Sequence, residues 1–186
     1  MRKLIMWNVI SLDGYFEGSK AWDLEFHQTV FGKEFDDFSI EQLQTADMLV
    51  FGEKTYQGMA DYWTTADEDE QKVATYMNKL PKIVCSTTLQ NADWNNTIIV
   101  KDAVAEIPKL KTQGDGNMFV FGSGILSESL MKAGLFDEYR ICIAPVFLGE
   151  GRHLFNKGLP YQKLKLQEER RMQTGGVILM YAPLPS

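Results

Sequence analysis

Three short apolar runs that stop at a glycine or hydroxyl cluster constrain this chain more than any other feature. They are Met48-Leu49-Val50-Phe51 ahead of Gly52-Glu53-Lys54-Thr55, Lys82-Ile83-Val84-Cys85 ahead of Ser86-Thr87-Thr88, and Met118-Phe119-Val120-Phe121 ahead of Gly122-Ser123-Gly124. A strand buried on one face alternates apolar and polar residues, whereas an unbroken apolar run suits a parallel strand covered on both faces. The chain is therefore expected to be α/β, with a mostly parallel sheet between helices.

The remaining pattern extends this reading. Lys3 to Ile10 is a further buried strand that ends at the turn-forming Ser11-Leu12-Asp13-Gly14. Phe26, Val30, Phe31, Phe35, Phe38 and Leu43 recur at helical spacing and predict one helix or two, interrupted near Gly32. Tyr56, Met59, Ala60 and Trp63 mark the helix opened at Glu53, and the acidic run Asp67 to Glu70 precedes another that ends near Asn78. Thr97 to Val100 is a strand, Asp102 caps a helix that contains Pro108, and Ile125 to Met131 form a helix stopped by Gly134. From Tyr139 the runs Tyr139–Leu148, Leu164–Met172 and Val177–Tyr181 follow without a long helix, and Gly175-Gly176 folds the last two into an antiparallel hairpin. The expected result is one domain over residues 1–186, with a sheet of about eight strands.

Composition narrows the function. Lys and Arg number 19 against 25 Asp and Glu, a net charge of -6, which argues against a nucleic-acid partner. No apolar stretch has the length of a signal peptide or a membrane span, so a cytoplasmic location is expected. Cys85 and Cys142 lie in apolar runs and are expected to be reduced structural thiols. His27 and His153 lack metal-ligand spacing, and Ser123 lacks the spacing of a hydrolase nucleophile elbow.

The three clusters share the carboxyl edge of the sheet, where open α/β sheets bind ligands. Helix N-termini there present free N–H groups, and glycine lets a phosphate approach them. Neither a P-loop nor Gly-x-Gly-x-x-Gly occurs, so a different dinucleotide fold is required.

Ser11-Leu12-Asp13-Gly14-Tyr15, Gly52-x-x-Thr55-Tyr56, Ser86-x-Thr88-Leu89, Gly122-Ser123-Gly124-x-Leu126 and Pro145-Val146-Phe147-Leu148-Gly149-x-Gly151 together resemble the dihydrofolate-reductase-like superfamily. The branch most resembled is the C-terminal reductase domain of the bifunctional riboflavin-biosynthesis protein RibD. This resemblance implies a three-layer sandwich and a homodimer. It also implies an NADPH-dependent reductase that transfers a hydride to a small pterin- or pyrimidine-like heterocycle or a ribosyl substrate. On matching positions, Gly122, Ser123, Gly124, Ile125 and Leu126 take the pyrophosphate, and Gly52, Lys54 and Thr55 meet phosphates at a helix start. Ser86 and Thr87 lie near the adenosine ribose, and Lys101 near the adenine.

The position after Gly52 is often basic in the reductases resembled and is Glu53 here, which would repel a 2′-phosphate and leaves NADH open as the cofactor. Asp23 and Glu25 are the candidate catalytic carboxylates, though Asp23 also suits a helix cap. Trp22, Phe26 and Phe31 suit either a pocket wall or a core. Few basic residues precede Lys54, which speaks against a ribose phosphate. Two other readings remain: a dinucleotide-binding or regulatory protein without catalysis, and a protein-binding module whose glycines are only turns.

Overall fold

The structure, a computed structural model, describes residues 1–67 and 72–185. Most of the acidic run at 67–70 lies outside the described residues. The chain opens with β1 (Lys3–Ser11) and a short β2 (Tyr15–Glu17), then a 3-10 turn (Glu25–Thr29) and α1 (Lys33–Gln44). There follow β3 (Ala46–Gly52), α2 (Glu53–Trp63), α3 (Lys72–Lys79), β4 (Lys82–Cys85) and β5 (Thr97–Val100). The second half holds α4 (Ala103–Lys111), β6 (Asn117–Phe121), α5 (Gly124–Lys132), β7 (Glu138–Ala144), β8 (Arg152–His153), β9 (Leu164–Arg171) and β10 (Val177–Pro183).

Eight strands form one sheet in the order β5-β4-β3-β6-β1-β7-β10-β9, and β2 pairs with β8 in a separate ribbon. The first six run parallel, whereas β10 is antiparallel to both β7 and β9. The strand that begins at Glu138 stops at Ala144 rather than at Leu148, because Pro145 has no N–H to continue the ladder. Asp102 caps α4 by accepting from the Ala105 N–H at 3.0 Å, and the helix accommodates Pro108.

Residues of opposite parity on each strand feed two cores. Ile5, Trp7, Leu49, Phe51, Phe119 and Phe121 meet α1, α2 and α3 on one face. Leu4, Met6, Val50, Met118 and Val120 meet α4 and α5 on the other. The chain moves from β1 to β3 and β4 in one direction and returns from β5 through β6 to β7 in the opposite one. Right-handed crossovers then put the two sets of helices on opposite faces. Burial of each large apolar side chain contributes roughly 1.5–3 kcal/mol, which is why both faces must be covered.

The sheet margins differ. Among the described residues β5 pairs only with β4 and leaves Ile98 53% exposed, whereas β9 carries charges of both signs along an exposed strand. Cys142 is buried and Cys85 half-buried; both are free, with burial pushing their thiols up to about 12. Neither is a thiolate at neutral pH. Among the described residues no helix is long and apolar enough to cross a membrane.

Candidate functional site

Adjacent strands β3 and β6 hand the chain to helices on opposite faces, α2 and α5, so a crevice opens between their carboxyl ends. This is the switch point at which open α/β sheets hold ligands. The Gly122-Ser123-Gly124 turn forms one wall and Gly52 with the start of α2 the other.

Ser123 joins the two walls. Its hydroxyl donates to the Phe121 carbonyl at 3.0 Å and accepts from the Gly52 N–H at 3.0 Å, while its own N–H donates to Thr55 Oγ1 at 3.1 Å. The side chain is buried, and the backbone sits in the left-handed region at φ 58°, beside Gly122 at the same φ. Two consecutive left-handed residues turn β6 directly into α5, a conformation disfavoured for a residue with a Cβ unless its surroundings hold it. Ser127, fully buried, donates to the Gly122 carbonyl at 3.2 Å and fixes the turn from inside the helix. The hydroxyls of Ser123 and Thr55 thus hold the turn together, and the groups of this wall that remain for an anion are the first-turn N–H groups of Gly124, Ile125 and Leu126. That turn of α5 contains no acidic residue.

At the β4 end, Ser86 Oγ donates to Glu53 Oε2 and accepts from the backbone N–H groups of Thr88 and Leu89 at 3.0 and 2.8 Å. Thr88 Oγ1 donates to the same Glu53 oxygen at 2.5 Å. These two hydroxyls hold the Glu53 carboxyl below its ordinary pKa, in the order Ser86 then Thr88. Lys54, Thr87 and Lys101 are exposed around this end.

On the other side of β6, the loop after β1 is tied to the loop after β7. Asp13 accepts from Ser11 Oγ at 2.6 Å, from Leu148 N–H at 3.1 Å and from Gly149 N–H at 2.8 Å. The Ser11 hydroxyl foremost, with the N–H groups of Gly149 and Leu148, lowers its pKa to about 2. The β2–β8 ribbon continues this join: Tyr15 stacks on His153 with ring centroids 4.0 Å apart, and Glu17 pairs with Arg152 at 3.4 Å. Phe16 lies over the glycine turn so closely that a Cβ on Gly124 would come within 2.5 Å of the ring, and the Arg152 guanidinium lies 5.7 Å from the ring centroid. Asp13, Phe16 and Ser127 went unassigned in the sequence. Asp13 is visible in the sequence as part of a turn and of a motif that carries the resemblance, without a role of its own, and nothing local marks Phe16 or Ser127.

Asp23 does not cap the following turn, whose N-cap is Leu24 without a side-chain bond. It lies against Gly18, where an added Cβ would come within 2.2 Å of Asp23 Oδ2. Glu25 is exposed at the start of the 3-10 turn. Trp22 is in the left-handed region at φ 63°, donates its backbone N–H to Glu17 Oε1 at 2.7 Å, and rests its ring on Gly58 of α2. Phe26 belongs to the core, whereas Phe31 is 42% exposed.

Two hollows flank these elements. One of about 330 Å³ lies between Glu17-Gly18-Ser19-Lys20 and Gly151-Arg152, beside the ribbon. The other, about 320 Å³, is an apolar groove lined by Ile10, Ile143, Phe155, Leu164 and Tyr181 on the far sheet face. Its lining is mostly apolar, with Gln162 and the Tyr139 and Tyr181 side chains as its polar members.

A family model described as the RibD C-terminal domain matches residues 2–179. Two proteins of Bacillus subtilis (strain 168) are similar along most of their length. Uncharacterized protein YyaP is 28% identical over 97% of this chain and 94% of its own, and uncharacterized protein YwjB is 28% identical over 89% and 90%. Among solved structures, a protein ascribed to riboflavin biosynthesis from Shewanella sp. PV-4 superposes with a TM-score of 0.81 at 20% identity, covering 98% of this chain and 99% of that one. A pyrimidine reductase-like protein from Corynebacterium diphtheriae gives 0.65 at 13%, covering 100% and 93%. RibD of Acinetobacter baumannii gives 0.65 at 15%, with this chain spanning 59% of that protein.

Proposed function

The chain belongs to the RibD C-terminal domain family, and from that premise we propose that it is a reductase. In this reading it takes a hydride from a nicotinamide dinucleotide and delivers it to a small pterin- or pyrimidine-like heterocycle, free or ribosylated. The observation that carries the reading is the crevice between β3 and β6, whose two helix starts are locked to each other by Ser123. A dinucleotide has a pyrophosphate at its middle, and the acid-free first turn of α5 offers it N–H donors and the positive end of a helix dipole.

The cofactor supplies the hydride. The Gly122-Ser123 turn would set the N–H groups of Gly124, Ile125 and Leu126 toward the pyrophosphate, its own N–H groups being bonded to Trp7 and Thr55, and Gly52, Lys54, Thr55, Ser86, Thr87 and Lys101 would surround the adenosine half. Phe16 and the ribbon, held by Tyr15, His153, Glu17 and Arg152, shield the turn from water. Proton delivery falls to Asp23, Glu25 or an ordered water. Asp23 packs against the Gly18 backbone and caps no helix.

The position of Asp23 also favours a second reading, a dinucleotide-binding protein without turnover. The test is loss of nicotinamide absorbance when the reduced cofactor and protein are mixed with a panel of pterins, pyrimidines and ribosylated pyrimidines. Oxidation with one class supports the reductase; cofactor binding without oxidation across the panel supports the second reading. Unchanged turnover in the Asp23→Asn, Glu25→Gln double variant would remove both carboxylates from the reaction.

A further inference from the structure

The crevice gives a bound dinucleotide a direction. Toward β1 and β7 from the glycine turn lie the two long loops and the ribbon; toward β3 and β4 lie the start of α2 and the Ser86-Thr87-Thr88 turn. If the turn holds the pyrophosphate and the looped side admits the substrate, the adenosine half extends over β3 and β4. This step rests on the function proposed above.

The side chain that dominates that end is Glu53. Its Oε2 takes both protein bonds, from Ser86 and Thr88, so that oxygen is held in place by two residues of one turn. Among the described residues Oε1 has no such bond. Ser86 Oγ already accepts two backbone N–H groups, which leaves its single hydrogen for Glu53. Ser86 and Thr88 are therefore committed to orienting an acceptor rather than to donating to a phosphate. A fixed, ionised carboxylate matches a ribose 2′-hydroxyl, which donates; it repels a 2′-phosphate, which brings about two negative charges and no donor. Lys54 and Lys101 are the cations nearby, and both are exposed, where water weakens their pull.

We infer that Glu53, oriented by Ser86 and Thr88, is the residue that selects the cofactor, and that this chain prefers NADH to NADPH.

The experiment is calorimetric titration of the full chain with NADH and with NADPH at low and high salt, with thermal melts to confirm that each variant is folded. NADH is expected to bind the unaltered protein at least about tenfold more tightly, a preference that shrinks as salt screens the repulsion. Glu53→Gln keeps acceptors for Ser86 and Thr88 while removing the charge, and is expected to bring the two affinities together; Glu53→Arg is expected to reverse their order. Equal or tighter NADPH binding by the unaltered protein overturns the inference and leaves the dinucleotide reading standing. Binding of neither cofactor overturns both. The comparison in the unaltered protein decides the matter even if a variant fails to fold.

Discussion

Ser123 holds the crevice with one hydroxyl and one N–H. Replacing it with alanine leaves the Gly52 N–H without its partner in a half-buried setting and removes the bond to the Phe121 carbonyl. Ser123→Ala is expected to lower stability by about 1–3 kcal/mol, measured by urea denaturation, and to weaken dinucleotide binding as the left-handed turn loosens. His27 gives a second residue-scale prediction. It sits between Phe26, with ring centroids 4.6 Å apart, and Phe31, and among the described residues its Nε2 has no hydrogen-bond partner. Burial lowers its pKa from 6.5 to about 4, so the folded state holds it neutral. Between those values the unfolded chain takes up a proton that the folded chain does not. Stability is complete above pH 6.5 and falls, by up to about 3 kcal/mol, as pH drops to 4. His27→Phe should flatten that part of a stability profile; an unchanged slope would show that other groups cause it. Hydroxyls illustrate what the sequence reveals at this scale and what it hides. Thr55, Ser86 and Ser123 are recognisable in the sequence as hydroxyls at the carboxyl ends of strands, but a hydroxyl in such a turn reads the same whether it faces a ligand or, as here, ties two loops together.

Among the elements, the apolar strands are the most legible, because β1, β3, β4, β6 and β10 are contiguous runs whose apolar character is local. The β2–β8 ribbon was not. Its strands have three and two residues, and the partners are more than a hundred positions apart, so no period exists within either one to detect. The reach of the Tyr139 strand was overestimated because Val146, Phe147 and Leu148 are apolar, although they form the loop that Asp13 grips. The ribbon matters because it sets Phe16 on Gly124. Gly124→Ala would drive a methyl group to within 2.5 Å of the ring. The variant is expected to remain folded but to release the ribbon, seen as faster amide exchange at residues 15–17 and 152–153. Dinucleotide affinity should fall with it, and unaltered exchange would show that Phe16 adjusts locally.

At the scale of the molecule, the residues at the crevice come from segments scattered between β1 and the loop after β7, and they meet only because six parallel strands end at one edge. The apolar runs and glycine clusters made that edge readable; the order of strands along it was not, since nothing local states that β6 inserts between β3 and β1. The two outer margins of the same sheet have a different consequence. β9 presents Lys165, Glu168, Glu169, Arg170 and Arg171 to any approaching strand, whereas β5 presents Thr97-Ile98-Ile99-Val100 without a charge. An uncharged β-branched margin, paired among the described residues only with β4, invites another strand. Concentrated or warmed solutions should therefore cloud through β5 meeting β5. Ile98→Lys is expected to raise the onset of light scattering on heating while leaving the unfolding midpoint within about 1 °C, so that the protein's shelf life is decided at the margin farthest from β9.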